Sequence, residues 1–367
     1  MPFIRRAEIS SEANEAGGVD VVVRTYDSWT LEVVAGFKRV GGVTSVRGGL
    51  AEHNMLGEGK SGSAVYSRDG TAVSKSLSYT DRQFLRQRRL RYSMAALDAP
   101  GTRHYSIALN RPFYASIARN AYGGGVSYSA TRLAPETRGV GEAFVDYGVA
   151  LATSTERTRR VSFGLLTRRA QTTGPVPDLL QLTFLKLGAD WQELDFITVR
   201  RIQNFTRDED INLGLGVFPS VAWAPKVRAL GTTESQIIPR LDVSKGFVAS
   251  NQLLRLKAGI GSRLINGGNG NRVASFDATH FVRGLRYQTW AFHTGLDLGW
   301  HLGPSDQLAL GELNGLRGYG LSEFTGNRRF LFNIEDRIYV YDDLFRILDV
   351  GAVVFYDSGY VWGSRAP

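Results

Sequence analysis

The chain has no cysteine in its 367 residues, so a disulfide framework, cysteine metal sites and thiol catalysis are all excluded. No apolar run approaches the ~18 residues that a membrane-spanning helix requires. The five histidines show neither ligand-like spacing nor an evident cluster with acids. We therefore expect no cofactor and no metal. The N-terminal residues carry charge but no apolar segment typical of a signal peptide.

Basic residues are in excess, with a formal net charge of +9, but they are scattered along the chain. Scattered arginines are typical of a solvated surface or lumen, and we expect no nucleic-acid partner. One dense cluster lies between Arg82 and Arg91. Two interpretations stay open for it, a solvated turn between strands or contact with an anionic surface such as lipopolysaccharide phosphates. The cluster consists of Arg86, Arg88, Arg89 and Arg91.

Apolar residues alternate with polar residues and glycine along most of the chain, which predicts strands with one apolar face. The clearest case runs from Trp290 to Trp300. A soluble sandwich and a membrane barrel both satisfy this pattern. Segments of ten or more residues, a glycine-rich polar face and tryptophans at both ends of the Trp290–Trp300 strand favour the barrel. Turn signals such as Gly41-Gly42, Asp69-Gly70 and Ala99-Pro100-Gly101 separate thirteen to seventeen predicted strands, with residues 179–224 ambiguous.

Residues 1–28 differ from the rest. Val19 to Arg24 predicts one strand, and the polar segment from Ala7 to Ala16 is compatible with a helix. Further on, the segment Gly57-Glu58-Gly59-Lys60-Ser61-Gly62 invites a phosphate-loop interpretation. Asn54 stands where that motif needs glycine, and a strand pattern follows, so we predict a strand–turn with glycines at positive φ. The chain has no Gly-x-Ser-x-Gly, and we expect no enzymatic activity.

A glycine-flanked arginine, Arg317, lies in a long polar loop that precedes the last two predicted strands. The two-residue period places Glu335 on one of these strands and Asp357 on the next, both on the polar face. The planar, five-donor guanidinium group can bond two carboxylates at once. We therefore predict that Arg317 folds back inside the barrel and pairs with both acids.

The order of these motifs resembles the bacterial surface antigen family, the BamA/TamA-type outer-membrane assembly and transport barrels. The matching positions are Leu316-Arg317-Gly318-Tyr319, Glu335 and Phe355-Tyr356-Asp357-Ser358-Gly359. The resemblance implies that loop 303–328 folds into the lumen. It also implies a structural lock for this loop, formed by Arg317, Gly318, Tyr319, Glu335, Phe355, Asp357 and Gly359.

The N-terminal half supports the same resemblance. Asp20 to Trp29, Gly41-Gly42 and Glu52 to Gly59 are similar to the junction between the last periplasmic POTRA domain and the first barrel strands. The resemblance implies that residues 1–28 are the tail of a POTRA domain. Residues 29–367 would form an all-β, antiparallel up-and-down transmembrane barrel, with about sixteen strands in the family. Only a short segment follows the last motif, so we expect the barrel to be incomplete at its C-terminal end.

The function that the resemblance implies is insertion, assembly or translocation of proteins at the outer membrane of Gram-negative bacteria. The implied partners are outer-membrane lipids, unfolded or secreted protein substrates, and accessory periplasmic proteins. Two alternatives stay open. One is a two-partner-secretion-type transporter or a passive channel. The other is the barrel of a lipase fusion whose catalytic domain lies upstream.

Overall fold

A computed structural model gives the fold, and nearly all of it is β-strand. The structure describes residues 4–363 except positions 16, 28–29, 41–42, 88, 134–135, 175–177, 204–207, 233, 269, 285–286, 304–305, 321 and 345–347. None of the helices within these residues is long and apolar enough to cross a membrane.

The first half of the chain forms twelve strands. They are β1 (Ile4–Ala13), β2 (Val19–Asp27), β3 (Leu31–Val40), β4 (Val43–Met55), β5 (Lys60–Asp69), β6 (Ala72–Asp81), β7 (Arg91–Ala99), β8 (Thr102–Arg111), β9 (Asn120–Leu133), β10 (Glu136–Thr153), β11 (Arg157–Thr173) and β12 (Asp178–Glu193). One short 3₁₀ turn, Phe84–Arg86, lies between β6 and β7.

The second half of the chain contains the other strands. They are β13 (Phe196–Arg200), β14 (Asp208–Asn212), β15 (Gly216–Ala224), β16 (Gln236–Ala249), β17 (Gln252–Ser262), β18 (Leu264–Ile265), β19 (Arg272–Arg283), β20 (Gln288–Trp300), β21 (Leu308–Leu310), β22 (Phe324–Gly326), β23 (Arg328–Leu344) and β24 (Leu348–Trp362). Two further 3₁₀ turns are Arg228–Leu230 and Glu312–Asn314.

One up-and-down antiparallel sheet forms the barrel wall and confirms the predicted fold class. It runs from β3 to β24 in chain order and leaves out only the short hairpins β13–β14 and β21–β22. Each long wall strand pairs with the next long strand along the chain, and the two-residue strand β18 pairs with β16. Residues 179–224, ambiguous in the sequence, contain both wall strands and a hairpin that is not part of the wall.

The described residues contain seventeen long wall strands, against the about sixteen expected from the resemblance. Because this number is odd, β3 and β24 run in the same direction. The strand order places β24 next to β3. Unlike the other neighbours in the wall, these two strands show no register of paired residues within the described part of the chain.

The outer face of the wall is an apolar belt, while the inner face is polar. Large apolar side chains are exposed on the outside of successive strands, among them Phe37, Leu50, Leu77, Ile107, Val126, Val145, Leu165, Leu187, Ile260 and Phe276. Ion pairs join strands on the inside, as between Lys186 of β12 and Asp146 of β10, which meet across Gly164 of β11 at 2.7 Å. An exposed apolar surface of this extent is stable in a bilayer and not in water, so the wall is that of a transmembrane barrel.

Several predicted turns are confirmed. Gly57 and Gly59 have φ of 75° and 69°, in the left-handed region. This confirms the prediction that their segment is a strand–turn with glycines at positive φ. Gly70 and Gly101 close the β5–β6 and β7–β8 turns, also at positive φ. The Gly41-Gly42 turn lies outside the described residues.

The helical interpretation of Ala7 to Ala16 is wrong, because Ala7 lies within strand β1. This strand pairs with β2 in a separate two-stranded sheet, in which Ile9 is opposite Val23. The β-branched run of β2 offers a strong strand partner, and such pairing overrides the weak local preference of the polar segment. The tail-of-POTRA interpretation of residues 1–28 stays a prediction.

Two elements fold into the barrel from opposite ends. The lumen loop, residues 301–327 between β20 and β23, contains β21 and β22. The lumen hairpin, residues 194–215 between β12 and β15, contains β13 and β14. We call the two ends of the barrel the loop end and the hairpin end. Strand direction alternates along the wall, so the 82–90 turn belongs to the hairpin end and the 100–101 turn to the loop end.

Candidate functional site

Strands β23 and β24 supply the acids that hold the lumen loop. Their register places Asn333 opposite Asp357 and Glu335 opposite Phe355. The two pairs are two residues apart along each strand, and side chains two residues apart point to the same side of a sheet, so all four are on the inner face. The two carboxylates therefore lie diagonally across neighbouring strands, at a separation that one long side chain can bridge.

Arg317 bridges these carboxylates with four hydrogen bonds. Its Nε and Nη2 donate to Asp357 Oδ2 and Oδ1 at 2.7 and 2.6 Å, and its backbone N–H donates to Oδ2 at 3.0 Å. Its Nη1 donates to Glu335 Oε1 at 2.7 Å. The Asp357 side chain is only 4% exposed. A carboxylate so far from water depends on these charge-assisted bonds for its stability.

The residues around Arg317 complete this arrangement. Its guanidinium carbon lies 3.7 Å from the centroid of the Phe355 ring, a cation–π contact. Gly318 has φ of 89°, in the region that favours glycine, so the chain can reverse directly after the arginine. Hydrogen bonds with Asp357 and then Glu335 raise the pKa of Arg317, against the effect of its burial. Tyr319 is exposed, and its ring contacts that of Phe324 within the same loop.

Asn333 is a further holding residue, which the sequence analysis missed. Its Nδ2 donates to Asp357 Oδ1 and to the Gly315 carbonyl of the lumen loop, both at 2.7 Å. On its other side, Oδ1 lies 3.1 Å from His293 Nδ1, and His293 Nε2 lies 2.5 Å from Asp277 Oδ2. His293 thus pairs with one acid, which the sequence did not indicate, because β19 and β20 bring together residues that are distant in the chain.

Apolar contacts hold the loop beside the polar lock. Leu310 and Leu316 of the loop are 0% and 4% exposed and pack with Leu331 of β23. Leu310 also lies against the backbone of Gly359, where an added Cβ would be 2.6 Å from Leu310 Cδ2. The last glycine of the F-x-D-x-G segment thus makes room for the loop. Arg329 of β23 donates to the Ala309 carbonyl at 2.9 Å.

We expect Gly359→Ala to loosen the lumen loop, because Leu310 must move away from the new methyl group. Overpacking of this kind costs about 1–3 kcal/mol. Limited proteolysis of the folded protein measures the result as faster cleavage within residues 306–320. Gly141→Ala is the matched control, since a Cβ there meets nothing within 4 Å. Equal cleavage rates for both variants would contradict the tight-contact explanation.

Arg337 connects the lock to the lumen hairpin. Its Nε donates to Glu335 Oε2 at 2.8 Å, so Glu335 lies between two arginines. Its Nη1 donates to the carbonyl of Ile202 in the hairpin at 2.5 Å. Thr289 of the wall donates to the neighbouring Arg201 carbonyl at 2.9 Å. The wall strand β23 therefore bonds to elements from both ends of the barrel.

The lumen hairpin packs on the wall through an apolar face. Val199, Ile202, Ile211 and Leu213 are buried against the inward side chains Leu253, Phe281 and Ala291. Ile202 is completely buried. A cavity of about 730 Å³ remains between the two inward elements, lined by Gln203 from the hairpin, by Gly315 and Arg317 from the loop, and by the wall.

The arginine cluster lies at the hairpin end, away from the lock. Arg89 stacks over the Tyr114 ring at 3.6 Å and so joins the 82–90 turn to the segment after β8. Arg86 is in the short 3₁₀ turn and Arg91 begins β7, whereas Arg88 lies outside the described residues. Burial and the charge of Arg91 lower the pKa of nearby Arg82. The anionic-lipid role of this cluster stays a prediction.

The structure thus brings Arg317, Glu335 and Asp357 into direct contact, with Phe355 and Gly359 beside them. Asn333 and Arg337 alternate with Glu335 on the polar face of β23. That alternation is the sequence signal that could have indicated them. The partners of Arg337 in the lumen hairpin had no such signal.

No family model and no curated protein match the sequence. Among solved structures, the chain is similar to the crystal structure of BamA from Haemophilus ducreyi lacking POTRA domains 1–3. The TM-score is 0.40 and the identity 12%, over 98% of this chain and 76% of that chain.

Two further structures show the same likeness. For CdiB from Acinetobacter baumannii the TM-score is 0.41 with 9% identity, over 98% of this chain and 66% of that chain. For CdiB from Escherichia coli the values are 0.47 and 12%, over 97% and 67%. The chain is similar in fold to BamA and CdiB. At these identities, the similarity concerns the fold alone.

Proposed function

We propose that this chain is a barrel of the Gram-negative outer membrane that mediates insertion, assembly or translocation of proteins, without catalytic activity of its own. The observation that carries the proposal is the lumen loop held on the inner wall by Arg317, Asp357 and Glu335. The sequence resemblance to BamA/TamA-type barrels implies this loop arrangement. The apolar belt supports the membrane location.

The inner wall is suited to unfolded polypeptides more than to compact ligands. Several of its charges form ion pairs between strands, such as Arg168 with Glu142 and Arg329 with Asp297, both at 2.6 Å. Each such pair lowers the net charge of the inner surface, so a passing chain would adhere less strongly to it. The proposed partners are unfolded or secreted proteins, outer-membrane lipids and accessory periplasmic proteins.

An insertion assay tests this proposal. The full chain is reconstituted in vesicles, and a urea-unfolded outer-membrane barrel is added with a periplasmic chaperone. We expect the substrate to become protease-resistant faster than in empty vesicles and in vesicles that carry an unrelated porin. If the reconstituted chain is folded but gives no acceleration over either control, the insertion function is contradicted.

A transporter of the two-partner-secretion type is the second candidate. The lumen hairpin favours it over a passive channel, because elements from both ends occupy the lumen and would have to move for a substrate to pass. Co-expression with a large secreted protein encoded next to the gene tests this candidate by the appearance of that protein in the medium. A Gly-x-Ser-x-Gly domain encoded upstream would instead favour the lipase-fusion alternative.

A further inference from the structure

The outer wall carries two adjoining grooves near the loop end. The first has a volume of about 520 Å³ and is lined by charged side chains of neighbouring strands, Lys75, Asp98, Arg103 and Arg132. The second, of about 540 Å³, lies in the apolar belt. Lys75 and Asp98 line both grooves, so the grooves form one continuous furrow with a charged end and an apolar end.

The register of four strands explains this furrow. Tyr66, Lys75, Asp98 and Arg103 are successive cross-strand partners and form one row across β5 to β8. The next row, two residues further into the belt, consists of Ala64, Leu77, Ala96 and Tyr105. A step of two residues is about 7 Å along a strand. Charged and apolar sections therefore follow each other within the dimensions of one lipid molecule.

Small residues form the floor of the apolar section. Ala96 lies between the exposed side chains Leu77 and Tyr105, whereas Ala64 and Gly48 lie on the far side of Leu77. An extended hydrocarbon chain fits a shallow groove of this kind, because it gains contact on its floor and on both sides.

The charged section has an excess of positive charge. Arg103 pairs with Asp98 at 3.3 Å, and both side chains are more than half exposed. In the part of the chain that the structure describes, neither Lys75 nor Arg132 has an ion-pair partner. Two unpaired cations beside an exposed pair favour an anionic occupant.

The spacing of the cations indicates which kind of anion the furrow would bind. Lys75 is on β6 and Arg132 is on β9, three strands away. Neighbouring strands are about 4.8 Å apart, so these positions are separated by about 14 Å. Because Lys75, Arg103 and Arg132 are spread over this distance, a headgroup with two phosphates suits the three cations better than a single phosphate does.

We propose that this furrow binds a bisphosphorylated, multiply acylated lipid of the lipid A type, in the leaflet at the loop end of the barrel. Lys75, Arg103 and Arg132 contact its phosphates, and one acyl chain lies over Ala96, between Leu77 and Tyr105. The inference rests on the proposed outer-membrane location. It assigns the contact to residues other than the Arg86–Arg91 cluster, which lies at the opposite end.

Native mass spectrometry of the full chain with added lipid A tests the proposal. We expect the double variant Lys75→Glu, Arg132→Glu to reduce bound lipid A by about tenfold or more. Each cation near an anionic lipid surface contributes roughly fivefold in affinity, and the variant reverses two of them. Lys226→Glu is the matched control, because Lys226 is exposed at the same end on a distant part of the wall. We expect this variant to bind lipid A as the wild type does.

A second variant tests the apolar section. Ala96→Trp fills the groove and leaves all three cations unchanged, and we expect it also to reduce lipid A binding. Heat-modifiable migration and the insertion assay serve as readouts of folding and of the proposed function, and they should be unchanged in these variants. Undiminished lipid A binding in the double variant, or equal retention of phosphatidylglycerol by the wild type, would overturn the assignment. Loss of insertion activity with lipid A binding intact would contradict the proposed function and leave the lipid-binding assignment standing.

Discussion

Arg317→Ala is expected to lower the temperature at which the barrel loses the faster gel migration of its folded form. The variant leaves the Asp357 carboxylate, 4% exposed, without its main partner and leaves Glu335 with Arg337 only. Removing one member of a buried ion pair costs about 3–5 kcal/mol. Arg317 itself is 34% exposed, so water can replace part of what is lost, and we expect about 2–4 kcal/mol.

Conservative variants separate charge from geometry in this prediction. Arg317→Lys keeps the positive charge but cannot form the paired bonds to both oxygens of Asp357, so we expect an intermediate effect. Arg240→Ala is the matched control, because Arg240 pairs with Asp242 at exposed positions that face the lumen, and such pairs contribute about 0–1 kcal/mol. Insertion activity should decrease together with the temperature at which the faster gel migration is lost. If Arg317→Ala left both unchanged, the lumen loop would not depend on the lock.

Removal of the lumen hairpin is expected to open the barrel. Phe196 and Asn212 are cross-strand partners, so a four-residue Gly-Ser linker can replace residues 197–211 without straining the wall. The hairpin fills the lumen at one end, and we expect the single-channel conductance in planar bilayers to rise several-fold. Unaltered conductance in the linker variant would show that the hairpin does not obstruct the lumen.

Point variants test the same hairpin without deleting it. Ile202→Asp places a charge at a completely buried position, and we expect it to displace the hairpin and to raise the conductance. Phe196→Asp introduces the same side chain at a position of the hairpin that is 58% exposed, and it should leave the conductance unchanged. Arg337→Ala removes the bond to the Ile202 carbonyl together with one bond to Glu335, so we expect both higher conductance and a lower migration temperature.

The sequence alone predicted the parts of this protein that depend on neighbours along the chain. Alternation with a period of two predicts which side of β23 and β24 faces inward, so Glu335 and Asp357 could be placed on one face without coordinates. The turn glycines Gly57 and Gly59 were predicted for a similar reason, since positive φ is a property of a single residue. An arginine that enters from the loop could bond both acids, and the resemblance to the bacterial surface antigen family implied the same pairing for Arg317.

Tertiary structure decided the features that depend on register and on contacts between distant segments. The strand count of seventeen and the lumen hairpin could not be read from residues 179–224, because a hairpin inside the lumen and a strand in the wall have the same local pattern. The bond from Arg337 to Ile202 joins positions 135 residues apart, and the furrow with Lys75 and Ala96 exists only because four strands align in one register. Periodicity specifies the face of each residue, whereas the position of a residue along the neighbouring strand depends on how the whole wall is assembled.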